Sequence, residues 1–156
     1  MLIRNIFKLI IIFILSLSFS VNAFSLEPKE FVQQTVDKAA KALDQNLSKE
    51  LKISKLKIIA LNTVDIEGIG LYSLGKHRKN ISDKQRNEYL DIFTQYFLKS
   101  FSSRLAQYSD PKIRVDSQKK LNEKYTMVSS VLIATEDKPE VKIDWRIKTK
   151  DPNNPL

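Results

Sequence analysis

Few residues in this chain of 156 amino acids are of a type that makes or breaks bonds, and their spacing does not assemble them. There is no cysteine and a single histidine, His77. A lone imidazole cannot supply a multi-histidine metal site, and no thiol nucleophile exists. Gly-x-Ser-x-Gly, His-Glu-x-x-His and a glycine-rich phosphate loop are all absent from the sequence. The adjacent hydroxyls Ser129-Ser130 fall inside an apolar run that reads as a strand, with His77 as the one available base. The paired carboxylates Glu136-Asp137 fall in a hairpin turn, where solvated acids are ordinary. Two groups remain. One is the cationic cluster Lys76-His77-Arg78-Lys79, suited to a phosphate, an anionic membrane or an acidic patch on a partner, or else simply solvated in a turn. The other is NEYLDIFTQYFLKSFSSRLAQY, residues 87–108, which holds six of the chain's fourteen aromatic residues. The chemistry on offer is binding, and the reading is non-enzymatic.

The rings need a helix to align them. Ser82 followed three residues later by Gln85 is a capping-box pattern, which predicts a helix start there. At 100° per residue, Leu90, Phe93, Phe97, Phe101, Leu105 and Tyr108 form one stripe, with Tyr89, Ile92 and Tyr96 along its flank. Asp110-Pro111 ends the helix. Upstream, Val32, Val36, Ala39, Leu43, Leu47 and Leu51 keep helical spacing and predict one amphipathic helix entered through Pro28. Residues 53–62 are ambiguous. Asp65 caps a short helix through Ile66, Ile69 and Leu74, stopped by Gly75.

Downstream the period changes from helical to alternating. KIRVDSQ, KYTMVSSVLIATE and EVKIDWRIKTK read as three strands. In the third, Val141, Ile143, Trp145 and Ile147 alternate with Lys142, Asp144, Arg146 and Lys148, giving one buried and one wet face. The loop at 137–139 joins strands two and three as a hairpin. The expected fold is α+β, with N-terminal helices packed on one face of a curved antiparallel sheet.

The first 23 residues are of another kind. Arg4 and Lys8 precede an unbroken apolar run from Leu9 to Leu15, and Val21-Asn22-Ala23 fits a small-x-small cleavage site. Residues 1–23 therefore read as a secretory signal peptide. The alternative, an uncleaved anchor, asks for a longer apolar core of about 20 residues. Residues 24–156 then form a single domain of net charge +6, down from +8 for the whole chain. That basicity in an exported protein favours an anionic lipid surface over nucleic acid. Without cysteine, the domain relies on packing and not on disulfides. The terminal turn DPNNPL leads to no partner strand. The expectation is a C-terminally truncated domain.

Asp65, Leu74-Gly75, Gln85-Arg86, Glu88-Tyr89-Leu90, Phe93, Leu105 and Tyr108, followed by Val128 to Ser130 and the triplet Asp144-Trp145-Arg146, resemble the MlaC family. This family, also called the toluene-tolerance family, comprises periplasmic phospholipid-binding proteins. The likeness spans most of residues 26–150. It departs where His77-Arg78 replace an aromatic pair, and where family members continue into a further strand and a closing helix.

The resemblance implies a monomeric periplasmic phospholipid carrier, with lipid as cargo and no cofactor. It implies exchange between an outer-membrane lipoprotein complex and an inner-membrane ABC transporter bearing a ring of MCE domains, which maintains outer-membrane lipid asymmetry. It further implies that the acyl chains contact Leu74, Leu90, Phe93, Phe97, Phe101, Val141, Ile143 and Trp145. Lys76, Arg78 and Lys79 would touch a membrane or partner. Periodicity alone reads the same stripe as packed core, which leaves a periplasmic adaptor with a filled core as the alternative. A hydrolase acting on lipid is a third possibility.

Overall fold

The computed structural model describes residues 26–44, 46–136 and 138–149. The segment read as a signal peptide and the terminal DPNNPL sequence lie outside the described residues. Among the described residues, four α-helices are followed by a three-stranded antiparallel sheet: α1 (Pro28–Ala42), α2 (Lys49–Thr63), α3 (Ile66–Ser73), α4 (Asp83–Leu105), β1 (Ile113–Asn122), β2 (Tyr125–Leu132) and β3 (Val141–Lys148). No helix among the described residues is long and apolar enough to cross a membrane.

The continuous first helix expected from the spacing is two helices. The apolar period runs on through Leu43, Leu47 and Leu51, but the backbone does not follow it. The chain leaves α1 at Ala42. The Asp44 carboxylate then accepts hydrogen bonds from the Asn46 backbone and side chain at 2.8 and 2.9 Å, a local turn that competes with helix. Ser48 restarts the helix by accepting from the Leu51 N–H at 3.3 Å. The ambiguous residues 53–62 fall inside α2. Its inward face, Lys52, Leu56 and Ala60, is buried, while Leu51, Ile58 and Leu61 point outward.

The other helix starts form where the sequence puts them. The Asp65 carboxylate accepts from the Gly68 N–H at 2.9 Å and opens α3. Gly75, at φ 53°, follows its end, a conformation that costs glycine little. A short 3-10 turn, Gly75–Lys79, carries the basic cluster. Ser82 and Gln85 close a reciprocal capping box at the start of α4. At α1 the cap comes from far along the chain. Glu27 makes no side-chain cap. Instead the Gln118 side chain on β1 accepts from the Lys29 N–H at 2.9 Å, and the Lys29 ammonium donates to the Asp116 carbonyl, also at 2.9 Å. That carbonyl lies where β1 slips register between Val115 and Ser117, so the bulge and the helix start hold each other.

The sheet order is β1-β2-β3. Across β2 and β3, Thr126 faces Ile147, Val128 faces Trp145 and Ser130 faces Ile143, which places these residues on one face of the sheet. α1 packs on β1 and β2, whereas α4 packs on α2 and α3. Two clusters of buried apolar residues form: Val32, Val36, Val115, Val128 and Ile147 between α1 and the sheet, and Ala42, Leu43, Leu56 and Ala106 among the helices.

Candidate functional site: an apolar cavity

Between these two groups lies a cavity of about 890 Å³. α1 turns Phe31, Val32, Thr35, Val36 and Ala39 towards it, at the i, i+4 and i+8 repeat of one helix face. α2 adds Leu56, Ile59, Ala60 and Thr63. α3 adds Ile69, Leu71 and Tyr72, the end of α4 adds Phe101 and Leu105, and Tyr108 follows from the turn after it. The sheet closes the far side with Ile113, Leu132, Ile143, Trp145 and Ile147.

The buried polar atoms of this wall are taken up locally. Thr35 and Thr63 donate their hydroxyls to the Phe31 and Ile59 carbonyls one helical turn back, at 2.8 and 2.7 Å. The Trp145 indole N–H donates to the Ser130 hydroxyl at 2.7 Å, and that hydroxyl in turn reaches the Ile143 carbonyl at 3.4 Å. Lys148 pairs with Asp65 at 3.3 Å. No buried side-chain nitrogen or oxygen among the described residues lacks a hydrogen-bond partner. Such a wall offers an occupant little besides apolar contact, which suits a hydrocarbon and not a polar metabolite.

Three of the eight residues expected to meet acyl chains line the cavity: Phe101, Ile143 and Trp145. Leu74, Leu90, Phe93, Phe97 and Val141 do not. The helix opposite the sheet is α1 and not α4, so most of the aromatic stripe meets other helices. Leu90 and Phe93 press against Gly70 of α3, where an added Cβ would come within 3.0 Å of each. Phe93, Phe97 and Phe101 stack in a row along α4, with centroids 6.3 and 5.5 Å apart. Ile92 and Tyr96, on its flank, are exposed. Val141 is 40% exposed at the start of β3. Of the basic cluster, Lys76, His77 and Lys79 face solvent away from the cavity, while Arg78 lines it. The α1 residues were missed as binding residues because an apolar helix face reads the same whether it meets side chains or a hollow.

The nucleophile candidates have structural partners. Ser130 holds Trp145, and Ser129 donates to Asp144 at 2.7 Å. Displaced ionisation occurs on the outer surface: the hydrogen bond from Arg114 at 2.6 Å holds the Asp116 carboxyl below its ordinary value. Among the described residues no cluster of three or more His, Cys, Asp and Glu is placed to hold a metal ion.

The model of the MlaC protein family matches residues 30–155. The chain belongs to the MlaC family. This MlaC-family chain is 29% identical over 101 residues to the intermembrane phospholipid transport system binding protein MlaC of Haemophilus influenzae, an alignment covering 62% of the chain and 47% of that protein. It thus spans about half the length of this relative. Its fold is similar, at a TM-score of 0.66 and 14% identity, to the phospholipid-binding protein from Ralstonia solanacearum in complex with a phospholipid, over 81% of this chain and 73% of the other. The likeness establishes the MlaC-like α+β fold.

Proposed function

We propose that this protein is a periplasmic, non-enzymatic phospholipid carrier that moves lipid between the outer and inner membranes and so maintains outer-membrane lipid asymmetry. In this reading it receives lipid from or delivers it to an outer-membrane lipoprotein complex and an inner-membrane ABC transporter with an MCE-domain ring. The observation that carries the reading is the apolar cavity of about 890 Å³, in a fold whose buried side-chain polar atoms, among the described residues, all have hydrogen-bond partners. Family membership, the name of the Haemophilus influenzae relative and the phospholipid bound to the Ralstonia solanacearum protein support it.

The magnitudes agree. A methylene occupies roughly the same volume as a liquid water, about 30 Å³. The cavity therefore holds on the order of 30 such groups, the tails of one diacyl lipid. Exposing those tails to water costs on the order of 20 kcal/mol, at about 0.8 kcal/mol per methylene. A carrier must enclose them, and an interior with this hollow does not fit an adaptor with a filled core.

The test is to purify the protein under native conditions, extract it with organic solvent and analyse the extract by mass spectrometry. Diacyl phospholipid is expected, chemically unchanged after long incubation. An extract free of lipid, together with no uptake from phospholipid vesicles, would overturn the reading.

A further inference from the structure

Building on the carrier reading, we propose that Arg78 is the anion-binding residue of the cavity, holding the phosphate of the lipid head while the tails lie inside. Five charged residues border the cavity: Asp65, Arg78, Asp144, Arg146 and Lys148. Four are engaged. Asp65 caps α3 through Gly68 and pairs with Lys148. Asp144 accepts the Ser129 hydroxyl. The Arg146 guanidinium lies 4.2 Å from the centroid of the Tyr125 ring. Arg78 has no hydrogen bond or ion pair among the described residues. These residues carry one more cation than anion, and Arg78 is the one of the five with no partner among the described residues.

Its position suits a phosphate at the cavity's edge. Arg78 is exposed, on the 3-10 turn between α3 and α4, and it alone of the four consecutive basic residues lines the cavity. A guanidinium presents a planar fork of donors that matches two phosphate oxygens. The wall elsewhere is apolar or internally bonded, so an acyl chain gives Arg78 nothing to bind. An anionic head at the same end of the molecule does. The phospholipid of the carrier reading is then held by its phosphate and not by the group beyond it.

The experiment compares wild type, R78Q and R78K. Each is offered phosphatidylglycerol or diacylglycerol with the same tails in neutral carrier vesicles, or inorganic phosphate alone. Uptake is read from the emission of Trp145, the single tryptophan, which lines the cavity. Wild type is expected to prefer the phospholipid. R78Q takes it up about tenfold more weakly, as the loss of a charge-assisted pair implies. Its diacylglycerol uptake is unchanged, and R78K falls between the two because it keeps the charge without the fork. Thermal melting of the lipid-free variants is expected to match wild type, since no described bond is removed. Equal phospholipid uptake by wild type and R78Q overturns the assignment. So does inorganic phosphate that alone raises the wild-type melting temperature but not that of R78Q, since it marks a free-phosphate site. Wild type that takes up neither lipid overturns the carrier reading itself.

Discussion

Ser130 illustrates how a small polar side chain shapes an apolar wall. It is 2% exposed, and its hydroxyl receives the Trp145 indole N–H while reaching the Ile143 carbonyl. Replacing it with alanine leaves a buried donor unpaired. Ser130→Ala is therefore expected to lower stability by about 1–2 kcal/mol, measured by denaturant titration, and to shift the Trp145 emission. The sequence marked Ser130 only as a hydroxyl inside a strand. Its partner is fifteen residues away on β3, so the strand register, not local spacing, assigns its role. The Arg114–Asp116 pair on β1 gives a pH-dependent test. Asp116 is held below its ordinary value, chiefly by the hydrogen bond from Arg114. A depressed carboxyl stabilises the fold fully above its unfolded value, about 3.9, and loses that contribution as pH falls through the lowered folded value. Asp116→Asn is expected to melt slightly below wild type at neutral pH, by little because the pair is exposed. In melting curves recorded at decreasing pH, that gap closes below the carboxylate range.

Helix ends were legible where the signal is local. The Ser82–Gln85 capping box and the Asp65 cap lie within three residues of what they cap, and both form. The break between α1 and α2 was not read, although Asp44, Asn46 and Ser48 carry turn and cap chemistry. The continuing apolar repeat masked it. The strands were legible because β3 alternates cleanly, and the antiparallel order β1-β2-β3 follows from short connections. What the sequence could not give is which helix faces the sheet. The stripe on α4 is richer in rings, but α4 spends them on α2 and α3. Gly70 is the close-approach point of that packing, with Leu90 and Phe93 above it. Gly70→Val is expected to force the two helices apart and cost about 1–3 kcal/mol of stability, seen as a lower denaturation midpoint. Lipid uptake per folded molecule should fall little, because Leu90 and Phe93 lie off the cavity.

Taken as a unit, the domain has two modest cores and a hollow between them, and both cores share walls with it. Core and cavity lining have the same composition, so the sequence located the apolar surface without showing where it was left uncovered. Filling that hollow should separate folding from loading. Ala39→Trp places a large ring on the cavity side of α1. It is expected to leave the lipid-free protein folded, with a melting temperature no lower than wild type, and to abolish phospholipid uptake from vesicles. A clear loss of folding, or uptake equal to wild type, would show that the cavity does not hold the tails.

The location of the hollow has a consequence for the motions of the backbone. Its walls are α1, α2, α3, the end of α4 and the sheet, while the first half of α4 stands apart. An occupant adds contacts to one set of segments and none to the other, and local opening becomes rarer only where contacts are added. Amide hydrogen exchange should therefore slow on loading in α1, α2 and β3 but stay constant from Asp83 to Gln95. The difference map would outline the guest from the protein side, with no label on either molecule.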